Sequence, residues 1–166
     1  KLFRLTLPAL NVTAQPQVET IDAEIGCAQG LLYAFDSLYV MVNENRDRSG
    51  LWRVRDTNGD DQFDEVKFLR AMDGSGEHGP HALVLSPDGK SIYFANGNHT
   101  DLPEKWEKSR TVAWGEDHLL PRMWDARGHA KDKYAPGGYI GRTDPDAREI
   151  EIFSIGFRNQ FDIAFD

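Results

Sequence analysis

A strand–turn–strand pattern occurs twice along the chain, and it restricts the possible folds more than any other feature. "GLLYAFDSLYVMVNE" from Gly30 and "HALVLSPDGKSIYFANG" from His81 share an apolar strand, a tight turn and a second strand with a central aromatic. "FDIAFD", Phe161 to Asp166, looks like the first strand of a third unit. The first two starts lie about fifty residues apart, and such a period with four strands per unit is the signature of a β-propeller. The fold class expected is therefore all-β, an incomplete propeller of about two to three blades.

Short alternating runs bounded by Gly, Asp, Asn and Pro predict strands at 2–7, 30–35, 38–43, 50–55, 65–71, 82–86, 91–95, 139–143, 149–155 and 162–165. Connectors such as "SPDGKS" and "TDPDARE" have hairpin-loop composition. One blade is expected over residues 30–71, a second over 81–156 and the start of a third at 161–166. Blades close into rings of typically ~4–8, so the sequence is expected to be a portion of a longer protein. Residues 101–138 interrupt the second unit with a long insertion that includes Trp106, Trp114 and Trp124. Loops of this length are usually functional or disordered, and the aromatic content argues against disorder. A cover over one end of the propeller and an oligomer contact are both open readings.

Lys and Arg number 19 against 27 Asp and Glu, a net charge of −8 with no basic stripe. Binding that tracks nucleic-acid phosphates depends on Lys and Arg releasing counterions, so that class is disfavoured. The longest apolar stretch, Gly30 to Val42, is broken by Asp36 and Ser37 and is too short to cross a bilayer. The chain starts at Lys1 with no signal peptide, and a processed N-terminus is compatible with that start. Cys27 is the single cysteine, which excludes an internal disulfide and leaves the compartment open.

Three motifs carry possible chemistry. In "RDTNGDDQFDE", Asp56, Asn58, Asp60 and Asp64 place oxygen ligands at the spacing that lets a loop wrap a hard cation such as Ca²⁺. The EF-hand match is partial, since Gly59 comes two positions early and Lys67 stands where a bidentate Glu would close the loop. The competing reading is an acidic hairpin tip kept soluble by its charge. In "EHGPH", His78 and His81 are three apart on an entering strand, which points them to opposite faces and disfavours a shared zinc. His78, at the loop-to-strand junction, is a candidate general base. In "GFRNQFDIAFD", Arg158 and Asn159 occupy the equivalent loop one unit later and offer a planar donor fork and an amide. Equivalent propeller loops converge on one end of the channel, which would set the base against an anion clamp. The bland alternatives are a packed strand-entry histidine and an arginine paired with a nearby carboxylate.

"HGPHALVLSPDGK" followed by "GFRNQFDIAFD" resembles the soluble quinoprotein glucose dehydrogenase and sorbosone dehydrogenase superfamily. "GCAQGLLYAFDSLYVMV", "DTNGDDQFDE" and "APGGYIGRTDPD" are similar to its planctomycete-type membrane-bound dehydrogenases. The resemblance implies a six-bladed propeller holding pyrroloquinoline quinone (PQQ). It implies that His78 takes the proton from a sugar or alcohol hydroxyl and that Arg158 and Asn159 contact the quinone. Gln160 stands where the family's G-x-R-N-P motif has proline, which alters a backbone that proline would fix. The family's catalytic Ca²⁺ ligands follow this motif and would lie beyond Asp166, so Asp56, Asn58, Asp60 and Asp64 form a different site. A periplasmic or other extracytoplasmic location and an electron-accepting cytochrome c are also implied. Beside this enzyme reading stands a non-catalytic propeller that binds a glycan or protein through Trp106, Trp114 and Trp124.

Overall fold

The computed structural model describes residues 2–45, 47–103, 106–109, 131 and 137–166. The described residues are all-β, with no helix. A hairpin of β1 (Leu2–Thr6) and β2 (Gln17–Ile21) precedes a first sheet of β3 (Ala28–Ala34), β4 (Ser37–Val42), β5 (Gly50–Arg55) and β6 (Glu65–Ala71). A second sheet has the order β7 (Pro80–Leu85), β8 (Ile92–Asn96), β10 (Gly138–Thr143), β11 (Ile150–Phe157), β9 (Lys108–Ser109). In each sheet four consecutive long strands run antiparallel to their neighbours; β9 adds a short parallel edge to the second.

Local chemistry explains the corners. Phe35 and Asp36 link β3 to β4 with φ of 52° and 49°, as a two-residue hairpin turn with both centres left-handed requires. Gly89, at φ 68°, serves the same need between β7 and β8, where Ser86 Oγ also accepts from the Lys90 and Ser91 N–H groups. Asp144 caps the β10–β11 turn by accepting from the N–H groups of Asp146, Arg148 and Glu149. Pro80 stands at the first position of an edge strand, where its missing N–H costs no ladder bond.

The main core lies between the sheets. Tyr39, Met41, Leu51 and Met72 of the first meet Leu83, Ile92, Phe94, Tyr139, Ile150 and Ile152 of the second. A smaller cluster of Ile25, Val40, Val42 and Val54 lies on the other face of the first sheet. Two polar grips at the rim tie the sheets. Tyr39 Oη donates to the Pro145 carbonyl at 2.9 Å, and Arg53 Nη1 meets the Asp146 carboxylate at 2.8 Å.

Residues 161–166 form no strand, which differs from the expected 162–165 element. Alternation alone cannot make a strand; a ladder partner is needed, and the described residues supply none here. Much of the insertion, including Trp114 and Trp124, lies outside the described residues. Its start is anchored: Trp106 packs on the main core, and Glu107 Oε2 accepts from the Ile150 N–H at 2.6 Å.

Candidate functional site

Three segments meet at one end of the second sheet. They are 76–81, entering β7; 96–100, leaving β8; and 157–160, at the end of β11. Their union rests on backbone bonds: Gly97 N–H to Gly79 O at 3.0 Å, His99 N–H to His78 O at 3.0 Å and Asn98 N–H to Arg158 O at 2.8 Å. Gly97 permits this approach. A Cβ there would lie 2.4 Å from the His78 carbonyl oxygen and 2.8 Å from Asn159 Oδ1, closer than atoms can pack.

The meeting concentrates buried polar side chains. His78 is 2% exposed, and its Nδ1–H donates to Asn98 Oδ1 at 2.7 Å. In the neutral ring that bond selects the tautomer with the proton on Nδ1. His99 stacks on His78 with ring centroids 4.6 Å apart and covers one face of it. His81, also buried, donates from Nε2 to Asn159 Oδ1 at 2.9 Å and has Phe161 over its ring at 4.8 Å. Gln160 Nε2 donates to the carbonyls of Asn96 and Tyr139, at 2.5 and 2.9 Å, and so pins the 157–160 segment across β8 and β10. Asn43, from the first sheet, reaches over to donate to the Gly76 carbonyl at 2.7 Å.

The structure thus brings His78, Arg158 and Asn159 into one loop cluster, with Arg158 exposed. The imidazole that bonds Asn159 is His81 rather than His78. Sequence reasoning passed over Asn98, His99 and Asn43. The usable signal was "NGNHT", a polar run directly after an apolar strand, but its burial follows only once the neighbouring loops close over it.

Burial pushes the His81 pKa below its ordinary 6.5, against the upward pull of Asn159 and the Glu77 backbone, and the nearby His78 adds to the lowering. A histidine held neutral contributes stability above its unfolded pKa and loses it as pH falls through the folded value. The ¹H–¹⁵N resonances of the His81 ring should therefore titrate with a midpoint below 6.5, and stability should fall on acidification through that midpoint. A midpoint above 6.5 would contradict the burial argument.

Asp56, Asn58, Asp60 and Asp64 share the β5–β6 loop of the first sheet, as their spacing requires, whereas the histidines stand at the end of the second. Their oxygens accept from the loop itself. Asp56 takes the N–H groups of Gly59 and Asp61, Asn58 that of Asp60, Asp60 that of Gln62, and Asp64 both the N–H and hydroxyl of Thr57. Desolvation raises the Asp56 pKa, but the N–H donors around it outweigh this and the net shift is downward. Among the described residues no group of three or more His, Cys, Asp or Glu is arranged to hold a metal. Arg4 of β1 also grips this loop, bonding the Asp61 carbonyl at 2.8 Å and its carboxylate at 2.9 Å.

An exposed guanidinium can pair with a carboxylate and an amide N–H can bond an acceptor oxygen, while the ring N–H groups of His78 and His81 are already given to Asn98 and Asn159. The fold is all-β, with stacked antiparallel sheets and a buried histidine–asparagine cluster where three loops meet. Comparison of the chain with protein-family models, with curated proteins and with solved structures finds no match. Among the described residues no helix is long and apolar enough to cross a membrane.

Proposed function

We propose that the two sheets are adjacent blades of a β-propeller and that the loop cluster is the site of a PQQ-dependent dehydrogenase acting on a sugar or alcohol. The observation that supports this most is the juxtaposition of His78, Asn98, Asn159 and Arg158 at one end of the second sheet. When bound, PQQ supplies the hydride acceptor that no protein side chain can provide. Arg158 would pair with a cofactor carboxylate, and the Asn159 amide N–H would bond an acceptor oxygen of the cofactor while His81 holds that amide in place. His78 Nε2 would take the hydroxyl proton of the substrate, and Asn98 would keep the ring in the competent tautomer. His99, stacked on His78, must yield for substrate to approach that face. A cytochrome c would serve as the electron acceptor, and the extracytoplasmic location belongs to the same reading.

The test is turnover by the full-length protein loaded with PQQ and Ca²⁺, using a sugar and alcohol panel and an artificial electron acceptor. Cofactor-dependent reduction of the acceptor supports the reading. Binding of PQQ with no turnover on any substrate would favour a ligand-binding propeller.

Ca²⁺ in the Asp56–Asp64 loop forms a separate part of the proposal, supported by the ligand spacing. The ion would have to draw Asp56, Asn58, Asp60 and Asp64 oxygens away from the loop N–H groups. Calorimetric titration should then give a saturable heat that Asp60→Asn weakens. A flat titration removes the site.

A further inference from the structure

Asn–Gly pairs occur at two places in the chain, Asn58–Gly59 and Asn96–Gly97. Such a pair can react with itself, because glycine has no side chain to keep its main-chain nitrogen away from the preceding side-chain amide. The fold puts the two pairs in opposite situations.

Asn96 is fully buried and ends β8, where it pairs with Pro80 on one side and Tyr139 on the other. Its side-chain amide donates to Met72 Sδ at 3.6 Å, and its main-chain carbonyl accepts from Gln160 Nε2 at 2.5 Å. The Gly97 N–H is given to the Gly79 carbonyl at 3.0 Å, and Gly97 is packed so closely that a Cβ would lie 2.4 Å from the His78 oxygen. The Gly97 nitrogen reaches the Asn96 amide carbon only if the strand opens.

Asn58 and Gly59 are exposed in the β5–β6 loop, outside every ladder. Gly59 has φ of 78°, and a Cβ there would meet nothing within 4 Å, so solvent reaches this peptide unit freely. Asn58 Oδ1 accepts from the Asp60 N–H at 2.9 Å, and its Nδ2 donates to Asp60 Oδ2 at 3.2 Å. The first of these bonds folds the side chain back along the main chain past the Gly59 nitrogen. It also supplies a donor where oxygen gains negative charge when the amide carbon is attacked. The Gly59 N–H donates to Asp56 Oδ1 at 2.7 Å, a loop contact that opens without breaking any ladder bond.

We infer that Asn58 is a site of spontaneous deamidation, with the Gly59 nitrogen as nucleophile. That nitrogen bonds to Asn58 Cγ, the Cγ–Nδ2 bond breaks, and ammonia leaves with the proton the nitrogen gave up. Water then opens the resulting succinimide at either carbonyl and yields aspartate or isoaspartate. Aspartate adds a carboxylate beside Asp56, Asp60 and Asp61. Isoaspartate routes a lengthened main chain through the former side chain, which shifts Asp61 from its contacts with Arg4 at 2.8 and 2.9 Å. The change is slow and one-way, so the converted fraction grows with the age of the molecule. It requires neither PQQ nor Ca²⁺ and stands apart from the proposed function.

Peptide mapping by mass spectrometry tests it, on the folded full-length protein held at mildly alkaline pH with a chelator. The Asn58 peptide should turn steadily into its aspartate and isoaspartate forms. It should do so about tenfold or more faster than the Asn96 peptide, which reacts only through strand opening. In denaturant the two peptides should convert at similar rates. Gly59→Ala should slow conversion at Asn58, since a methyl group hinders the nitrogen, and leave the circular-dichroism spectrum unchanged. An Asn58 that keeps its amide in the folded protein, equal rates for the two asparagines in the folded protein, or a Gly59→Ala variant that converts like the wild type would each overturn the inference.

Discussion

His78→Ala should lower turnover of the PQQ-loaded chain by about 10²–10⁴-fold, the usual contribution of a positioned general base, while leaving cofactor affinity nearly unchanged. The loss should be chemical rather than structural, because the loops around His78 are joined by main-chain bonds that alanine keeps. Gly97 N–H still reaches Gly79 O, His99 N–H still reaches the carbonyl of residue 78, and Asn98 N–H still reaches Arg158 O. The substitution removes the ring stack with His99 and the bond to Asn98, the latter worth about 1 kcal/mol. Full turnover in this variant would exclude His78 as the base. An unfolded variant would show that the imidazole is needed for the fold, which the backbone bonds argue against. The two cases are separated by near-ultraviolet circular dichroism before any assay.

The largest stability effect is expected at Phe94, which is fully buried between the sheets. Its ring covers Gly141, where an added Cβ would lie 2.2 Å from the ring, and it meets Tyr139 edge-on at 6.2 Å. Phe94→Ala leaves a cavity that the flanking backbone cannot fill, because β8 is paired on both sides, with β7 and β10. The expected cost is about 3–5 kcal/mol, read from the denaturant midpoint at unchanged slope. A loss below about 1 kcal/mol would mean that the sheets re-pack and the core is softer than described. Cross-sheet probes such as Arg53–Asp146 should loosen in the same variant, since that grip lies on the sheet–sheet contact Phe94 supports.

The sheets were legible because their information is local. The alternation in "GLWRVR" and "EVKFLRA" places β5 and β6 at their observed bounds, since each hairpin register is fixed by which face is apolar. β3 starts at Ala28, ahead of the expected Gly30, through a register shift that lets Ala28 pair with Val42, and no composition cue marks such a bulge. β2 was missed because "QVETI" is almost wholly exposed and draws its order from pairing with β1. At the site, His78, Arg158 and Asn159 could be assigned to equivalent loops from the repeat alone. Their actual partners could not. The His81–Asn159 bond spans 78 residues, and the role of Gln160 depends on carbonyls of Asn96 and Tyr139 that only the folded sheet brings side by side. The acidic loop shows the converse limit: spacing located the oxygens, but each has N–H donors of the same loop within reach, and a motif does not record that competition.

The most direct test of the central claim is titration of the full-length folded protein with PQQ in the presence of Ca²⁺, followed by the quinone's absorbance, beside an Arg158→Ala variant. A saturable change that the variant weakens by about tenfold or more, as loss of a charge-assisted pair entails, is the predicted result. Wild-type protein that is folded and leaves the quinone spectrum unchanged at every concentration would contradict it.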